Sequence, residues 1–420
     1  MSEAENGTPR VKVETEIGRL KAVLLHRPGV EITRMTPQNA AEALYSDILN
    51  KDVVDKEYAG FSGVLEKWTQ VYYVEDVLAK VLEDQNVRMN IVRENCRQDK
   101  CGYLIDELMT HDSSKLAKEL IEGIESEDWD AEKDDDDERY VLKPLYNLFF
   151  TRDASSSVYD KVLINSMSFA VRSRETLIYK AIFENFFGSS IMNAQQWDGD
   201  ARTEGGDVQI ARKDMLCIGE GIRTNRKGIE YLAQEMAKVP GRFNILVQEL
   251  PHAPESFIHL DMVYTFLSKN ECMVFEPMLK KSGVFGGMDT TLITVDNGKI
   301  RYEQCKDMME GLKLTGWDMR PVLCGGEDVW TQQREQWHSG ANFFALGEGK
   351  VLGYSRNRNT IEALDKAGFA VLNAIDICAG RVNMNEYDKF VAAFDACELP
   401  RGGGGARCMT MPISRDEVMF

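Results

Sequence analysis

The chain has no apolar run long enough to cross a bilayer, and its opening, MSEAENGTPRVKVE, lacks the hydrophobic core of a secretory leader. The expected compartment is therefore the cytoplasm. Basic residues are outnumbered: 50 Lys and Arg stand against 68 Asp and Glu, a formal charge of −18. Such an excess opposes general attraction to nucleic acid or to an anionic membrane, so neither is expected as a partner. Only five histidines occur, and the nine cysteines form no metal-binding framework. Cys96 and Cys101 have a loose pair spacing, but no second pair completes a zinc site. An odd cysteine total also leaves one thiol over in any wholly intramolecular disulfide scheme, which favours a reducing environment.

Apolar residues make up 43% of the 420 positions and charged residues 28%, the balance of an ordinary globular protein. GRLKAVLLHRP (18–28) reads as a short strand before a Pro-containing loop, and QVYYVEDVLAKVLED (70–84) passes from strand-like residues to helical periodicity. From about Glu75 to Arg139, helix-compatible stretches such as GYLIDELM and KLAKELIEGI displace the strand pattern and lead into ESEDWDAEKDDDDER. We read 75–139 as a helical insertion whose acidic run, 125–139, is a hydrated surface loop. Beyond it DKVLINSM, DVQIAR, MLCIGEG and FNILVQEL read as strands, interleaved with the helices RSRETLIYKAIFENFF and NRKGIEYLAQEM. The fold class is α/β. A Gly-Gly pair followed within two positions by Asp recurs at 205–207, 286–289 and 325–328, which permits a repeated turn.

Four stretches concentrate chemistry: NLFFTRDAS (147–155), TEGGDVQ (203–209), FIHLDMVYTF (257–266) and RCMTMP (407–412). Asn147 and Asp153 flank Phe149 and Phe150, as expected of a strand or tight strand end anchoring a polar loop; a turn held by side-chain hydrogen bonds is the alternative. Glu204 precedes Gly205 and Gly206, which let the backbone approach a ligand while the carboxylate points inward. His259 and Asp261 lie two positions apart, so an extended strand would direct both to one face. Cys408 follows four glycines, 402–405, with Arg401 and Arg407 nearby. Either arginine, if close in the fold, would lower the thiol pKa and make Cys408 a nucleophile; ordinary packing before Pro412 is the alternative.

Together these stretches, with IGRLKAVLLHRPG and REQWHSGAN, resemble the arginine deiminases of the wider guanidino-group-modifying, amidinotransferase-like family. The resemblance implies a fivefold pseudo-symmetric α/β propeller formed by 1–74 and 140–420, with the inserted helical domain at 75–139. It also implies hydrolysis of L-arginine to L-citrulline and ammonia in arginine catabolism, with no metal and no organic cofactor. Carried onto the matching positions, Cys408 is the nucleophile and His259 the general acid and base. Asp153 and Asp261 hold the guanidinium, Glu204 supports the electrostatics beside the histidine, and Asn147, Arg172 of VRSRET and Arg223 after CIGEGI bind the amino-acid end. Association into a homo-oligomer stays open.

Two departures qualify the match. Many relatives carry an arginine five positions before the cysteine, where this chain has Gly403. The segment 377–400, ICAGRVNMNEYDKFVAAFDACELP, looks longer than the usual connection and contains a helix-like apolar pattern, for which a structural role is expected. The nearest alternatives are an amidinotransferase or a hydrolase of methylated arginine or agmatine. A noncatalytic arginine-binding protein is the alternative of a different class.

Overall fold

The computed structural model describes residues 7–130 and 139–420. The stretch 131–138, most of the expected acidic loop, lies outside the described residues. Five sheets share one local plan, in which a central strand pairs antiparallel with one neighbour and parallel with another. Lys161–Ile164 pairs antiparallel with Ser155–Val158 and parallel with Ser190–Met192. Met215–Glu220 does the same between Val208–Arg212 and Arg242–Glu249, Glu271–Val274 between Tyr264–Phe266 and Arg320–Leu323, and Lys350–Tyr354 between Phe344–Gly347 and Phe390–Phe394. In the remaining sheet Leu20–Leu25 pairs parallel with Gln70–Tyr73 and antiparallel with Met411–Arg415, a strand from the far side of the sequence.

The parallel partner needs a crossover, and a helix supplies it. Lys51–Trp68, Glu175–Asn185, Arg226–Ala237, Met308–Leu314 and Arg358–Lys366 lie within the five connections. Local chemistry sets their starts. Asn50 accepts from the amides of Asp52 and Val53, and Asn225 accepts from that of Gly228, so orphan N–H groups of the first turn are satisfied. The long hairpin Thr290–Asp296 with Lys299–Cys305 extends the Met215–Glu220 sheet by pairing with Arg242–Glu249. Among the described residues, no helix is long and apolar enough to cross a membrane.

Within 75–130 the chain forms helices at Gln85–Gln98, Ile105–Leu108 and Ser113–Glu122 after Val74–Val81. Their apolar faces share one core with the sheets: Leu78, Leu116 and Leu120 pack in the same cluster as Leu24, Ile164, Tyr179 and Met411. Three expectations are corrected. FVAAF (390–394) is a buried strand and not part of a helix, because a strand covered on both faces reads as a continuous apolar run. HLD is not an extended strand: His259 is extended, but Leu260–Met262 form a 3-10 turn. NLFFTRD is not a strand end but a turn leading into the short helix Thr151–Ala154.

Arg174 joins the helical segment to the sheets. Its Nε donates to Asn95 Oδ1 at 3.1 Å, Nη1 to Asp99 Oδ2 at 2.7 Å and to the Lys143 carbonyl at 2.5 Å, and Nη2 to the Leu120 carbonyl at 2.9 Å. Arg174→Met takes the buried cation from Asp99 and this donor from the other three acceptors, and urea unfolding should show a loss of about 3–5 kcal/mol. A change within 0.5 kcal/mol, the scale of a neutral surface substitution, would show that the link holds nothing.

Candidate active site

Each of the five sheets sends a polar residue to one place from the segment just before its first antiparallel strand. Asp153 precedes Ser155–Val158, Glu204 precedes Val208–Arg212, His259 and Asp261 precede Tyr264–Phe266, Asn342 precedes Phe344–Gly347, and Cys408 precedes Met411–Arg415. The glycines make this convergence sterically feasible. A Cβ on Gly206 would lie 2.4 Å from His259 Nδ1, and one on Gly205 would lie 2.0 Å from the Arg152 carbonyl oxygen. Cβ atoms on Gly404 and Gly405 would strike Phe150 and Asn342 at 2.4 and 2.7 Å. Gly403 differs: it has φ +85° and open space around the missing Cβ.

A cavity of about 270 Å³ opens onto Cys408, and Asn147, Asp153, Arg172 and Arg223 also line it. His259, Glu204 and Asp261 are wholly buried behind that wall. His259 Nε2 donates to Glu204 Oε2 at 2.9 Å, while Nδ1, without a hydrogen-bond partner, lies 3.9 Å from Asp153 Oδ1. Burial alone would lower the imidazole pKa, but Asp153, hydrogen-bonded Glu204 and Asp207 outweigh it and raise it to about 9. Burial likewise opposes ionisation of Glu204, yet Arg223 and His259 bring its carboxyl down to about 2. The result is an imidazolium–carboxylate pair with one ring N–H left over.

Asp153 Oδ2 accepts from Arg172 Nη1 at 2.6 Å, and Oδ1 has no partner. Arg172 is also gripped by Glu175, through Nε at 3.0 Å and Nη2 at 2.8 Å. Arg223 Nη1 donates to Glu204 Oε2 at 3.1 Å, its Nε is unpartnered, and its guanidinium lies 4.6 Å from the Phe169 ring. Asn147 Nδ2 donates to the Ala43 carbonyl at 2.8 Å. The structure thus brings all eight expected residues to one region, in two layers.

The thiol differs from expectation. Arg401 pairs with Asp47 and Glu398 at the rim. Arg407 is spent on Glu16 and Asp261, at 3.1 and 2.8 Å. Burial, then Asp261 at 3.7 Å and Asp153, push the Cys408 thiol well above its ordinary pKa. Asn342, not singled out within REQWHSGAN, touches the sulfur: Nδ2 donates to Sγ at 3.2 Å and Oδ1 accepts the Arg407 amide at 2.8 Å. The signal for it is positional, the slot before a sheet's first strand. Asp207 was also missed; burial raises its carboxyl to about 7, and Oδ1 accepts the Leu260 amide at 2.9 Å. Among the described residues no three His, Cys, Asp or Glu side chains assemble as metal ligands.

A family model described as arginine deiminase matches residues 42–415. The arginine deiminase of Levilactobacillus brevis is 29% identical over 98% of this chain and 100% of its own length. That of Mycoplasma capricolum subsp. capricolum is 30% identical over 97% and 98%. Among solved structures, the product-bound N-terminal domain of ArgZ, an arginine dihydrolase of cyanobacteria, covers 94% of this chain and 97% of its own with a TM-score of 0.54 at 13% identity. Unliganded AgrE aligns with a TM-score of 0.55 at 14% identity, over 94% of this chain and 40% of its own. These two likenesses show a shared mixed α/β fold.

The pair His259–Glu204 sets a pH window. The raised imidazole pKa contributes stability that is complete below about 6.5 and is lost as pH rises through about 9. Glu204→Gln removes the carboxylate while burial stays, so the imidazole should titrate well below the native value in ¹⁵N-detected NMR. An unchanged titration would show that Glu204 does not hold the proton on His259.

Proposed function

The chain belongs to the arginine deiminase family, and on that premise we propose that Cys408 hydrolyses L-arginine to L-citrulline and ammonia through a covalent thiouronium. One observation carries the assignment of residues. The single unpartnered imidazole nitrogen and the single unpartnered oxygen of Asp153 are aimed at each other beside the cavity that Cys408 lines.

A guanidinium entering the cavity is planar and cationic, and Asp153 Oδ1 accepts from it in a charge-assisted hydrogen bond. Asp261, behind the thiol, adds its charge. Burial and the same two carboxylates hold Cys408 protonated in the free protein. Substrate charge offsets their field, so binding itself favours the thiolate, and the thiol proton leaves to solvent. Sulfur then attacks the guanidinium carbon, and His259 passes its proton to the departing nitrogen, which leaves as ammonia. Neutral His259 next takes a proton from water. The resulting hydroxide adds to the thiouronium carbon, the carbon–sulfur bond breaks, the new hydroxyl gives its proton to solvent, and citrulline and thiolate separate. Acid–base assistance of this type contributes about 10²–10⁴-fold.

The two cavity arginines divide the remaining work. Arg172 is committed to Glu175 and Asp153, so its foremost effect is to aim Asp153, whereas Arg223 retains unpaired N–H capacity for the substrate α-carboxylate. Asn147 lines the same cavity, and its carbonyl accepts from Arg172 Nη2 at 3.3 Å. Five sheets of one plan, each contributing to one site, support the fivefold propeller, with 75–139 as its inserted helical domain. Nine unpaired cysteines fit the cytoplasm.

Cys408→Ala should abolish citrulline formation while calorimetry still detects arginine binding; full turnover would sink the nucleophile assignment. Gly403→Arg places a cation at the open rim position. It should favour arginine over its decarboxylated analogue, agmatine, in the ratio of KM values. An unchanged ratio would remove this loop position from carboxylate recognition.

A further inference from the structure

Beneath the nucleophile, three guanidinium groups share one interior region: Arg152, Arg407 and Arg415 are 2%, 1% and 4% exposed. Only Arg407 is saturated. Its Nε and Nη2 each donate to Glu16 at 3.1 Å, its Nη1 to Asp261 at 2.8 Å, and Nη2 also to the Val208 carbonyl at 2.8 Å. Glu16 additionally accepts the Ile210 amide at 3.2 Å. The other two arginines are poorly served. Arg152 Nε reaches the Arg407 carbonyl at 3.4 Å, and its Nη2 has no partner. Arg415 Nη1 donates to the Gly18 carbonyl at 2.8 Å, while its Nε and Nη2 have none.

Charge compounds the deficit. The cluster holds three cations against Glu16 and Asp261, and Asp261 also faces the reactive sulfur. Buried charges require partners, and a guanidinium does not relieve the strain by giving up its proton at ordinary pH. Burial and the neighbouring Arg407 push Arg152 down to about 9, and Arg415 is pushed down to about 10, chiefly by burial. Both unsaturated groups lie near the same aromatic ring: the Arg415 guanidinium carbon is 4.9 Å and the Arg152 carbon 6.0 Å from the Phe344 centroid.

We propose that a small monatomic anion of the halide type binds between Arg152 and Arg415 beside Phe344. It supplies the missing negative charge and accepts from the unpartnered nitrogens. A sulfate or phosphate offers more acceptor atoms than these three nitrogens can serve. Arg415 also borders a cavity of about 960 Å³, whose lining mixes bases such as Arg10 and Lys213 with acids such as Glu14 and Asp416. The bound ion acts on the site at one remove. The Arg152 amide donates to the Cys408 carbonyl at 3.0 Å, and its Nε to that of Arg407, so fixing Arg152 fixes the backbone that carries the sulfur. Arg152 and Arg415 are positioning residues in this scheme.

The test uses the full chain at constant ionic strength, with chloride replaced stepwise for gluconate, an anion too large for the site. Thermal midpoint should rise with chloride, in proportion to its logarithm once chloride exceeds the dissociation constant; a hundredfold excess favours the folded state by about a hundredfold. Arg415→Met should abolish the chloride-dependent part of the rise. Crystals soaked in bromide should show an anomalous peak between the two arginines of the native chain, a result that stands even if Arg415→Met fails to fold. Coincident chloride and gluconate curves, or no bromide between Arg152 and Arg415, would overturn the proposal.

Discussion

Everything at the reactive end of the molecule depends on Arg407. This one buried cation gathers Glu16 from the approach to Leu20–Leu25, Asp261 from the approach to Tyr264–Phe266, and the carbonyls of Gly205, Gly206 and Val208 from the glycine turn and the start of the strand it leads into. It immediately precedes Cys408. A guanidinium that satisfies five partners in a dry interior cannot shift without leaving several of them unpaired, which is expensive. The nucleophile is thereby tied to a side chain with one tolerable position. The charge that might have activated the sulfur is consumed in placing it.

The glycines serve the same end by steric means. Gly206 lets the imidazole of His259 lie against backbone, and Gly404 and Gly405 let the nucleophile segment pass Phe150 and Asn342. Any side chain at these places forces apart residues whose mutual distance is the chemistry. The two constraints are complementary. Arg407 pulls segments from separate sheets together by electrostatics, and missing Cβ atoms remove what would hold them apart. The outcome is a site in which opposite charges are interleaved: Arg172 between Glu175 and Asp153, Glu204 between Arg223 and His259.

Much of this was legible in the sequence, and the limits follow from geometry. Asp153, Glu204, His259, Asp261 and Cys408 stand in short polar stretches between apolar runs, and such stretches report loops at the ends of buried strands. The local shape of HLD was misread because a two-residue spacing fits a strand, whereas the 3-10 turn Leu260–Met262 is held by tertiary hydrogen bonds, including Leu260 to Asp207. FVAAF carried no alternation because both of its faces are covered, so helix and strand could not be told apart by period. Asn342 escaped notice because an amide in a loop is unremarkable until its neighbours are known. The raised thiol pKa was unreadable for a related cause: Arg407 adjoins Cys408 in sequence, but its charge is owned by acids far away.

The pairing of Leu20–Leu25 with Met411–Arg415 has a kinetic consequence. Arg407 and Glu16 are 391 positions apart, so the contact that seats the nucleophile closes one of the long loops that join the two ends of the described chain. Closure entropy grows only slowly with length, so the equilibrium cost is modest, but contacts of such separation form late. The hairpins and crossover helices of the other four sheets need no such closure. A chain on its way to the native state can therefore hold nearly all its secondary structure while its sulfur is still an ordinary inert thiol. During refolding, ellipticity should return before turnover does, and reactivity is the last property the molecule acquires.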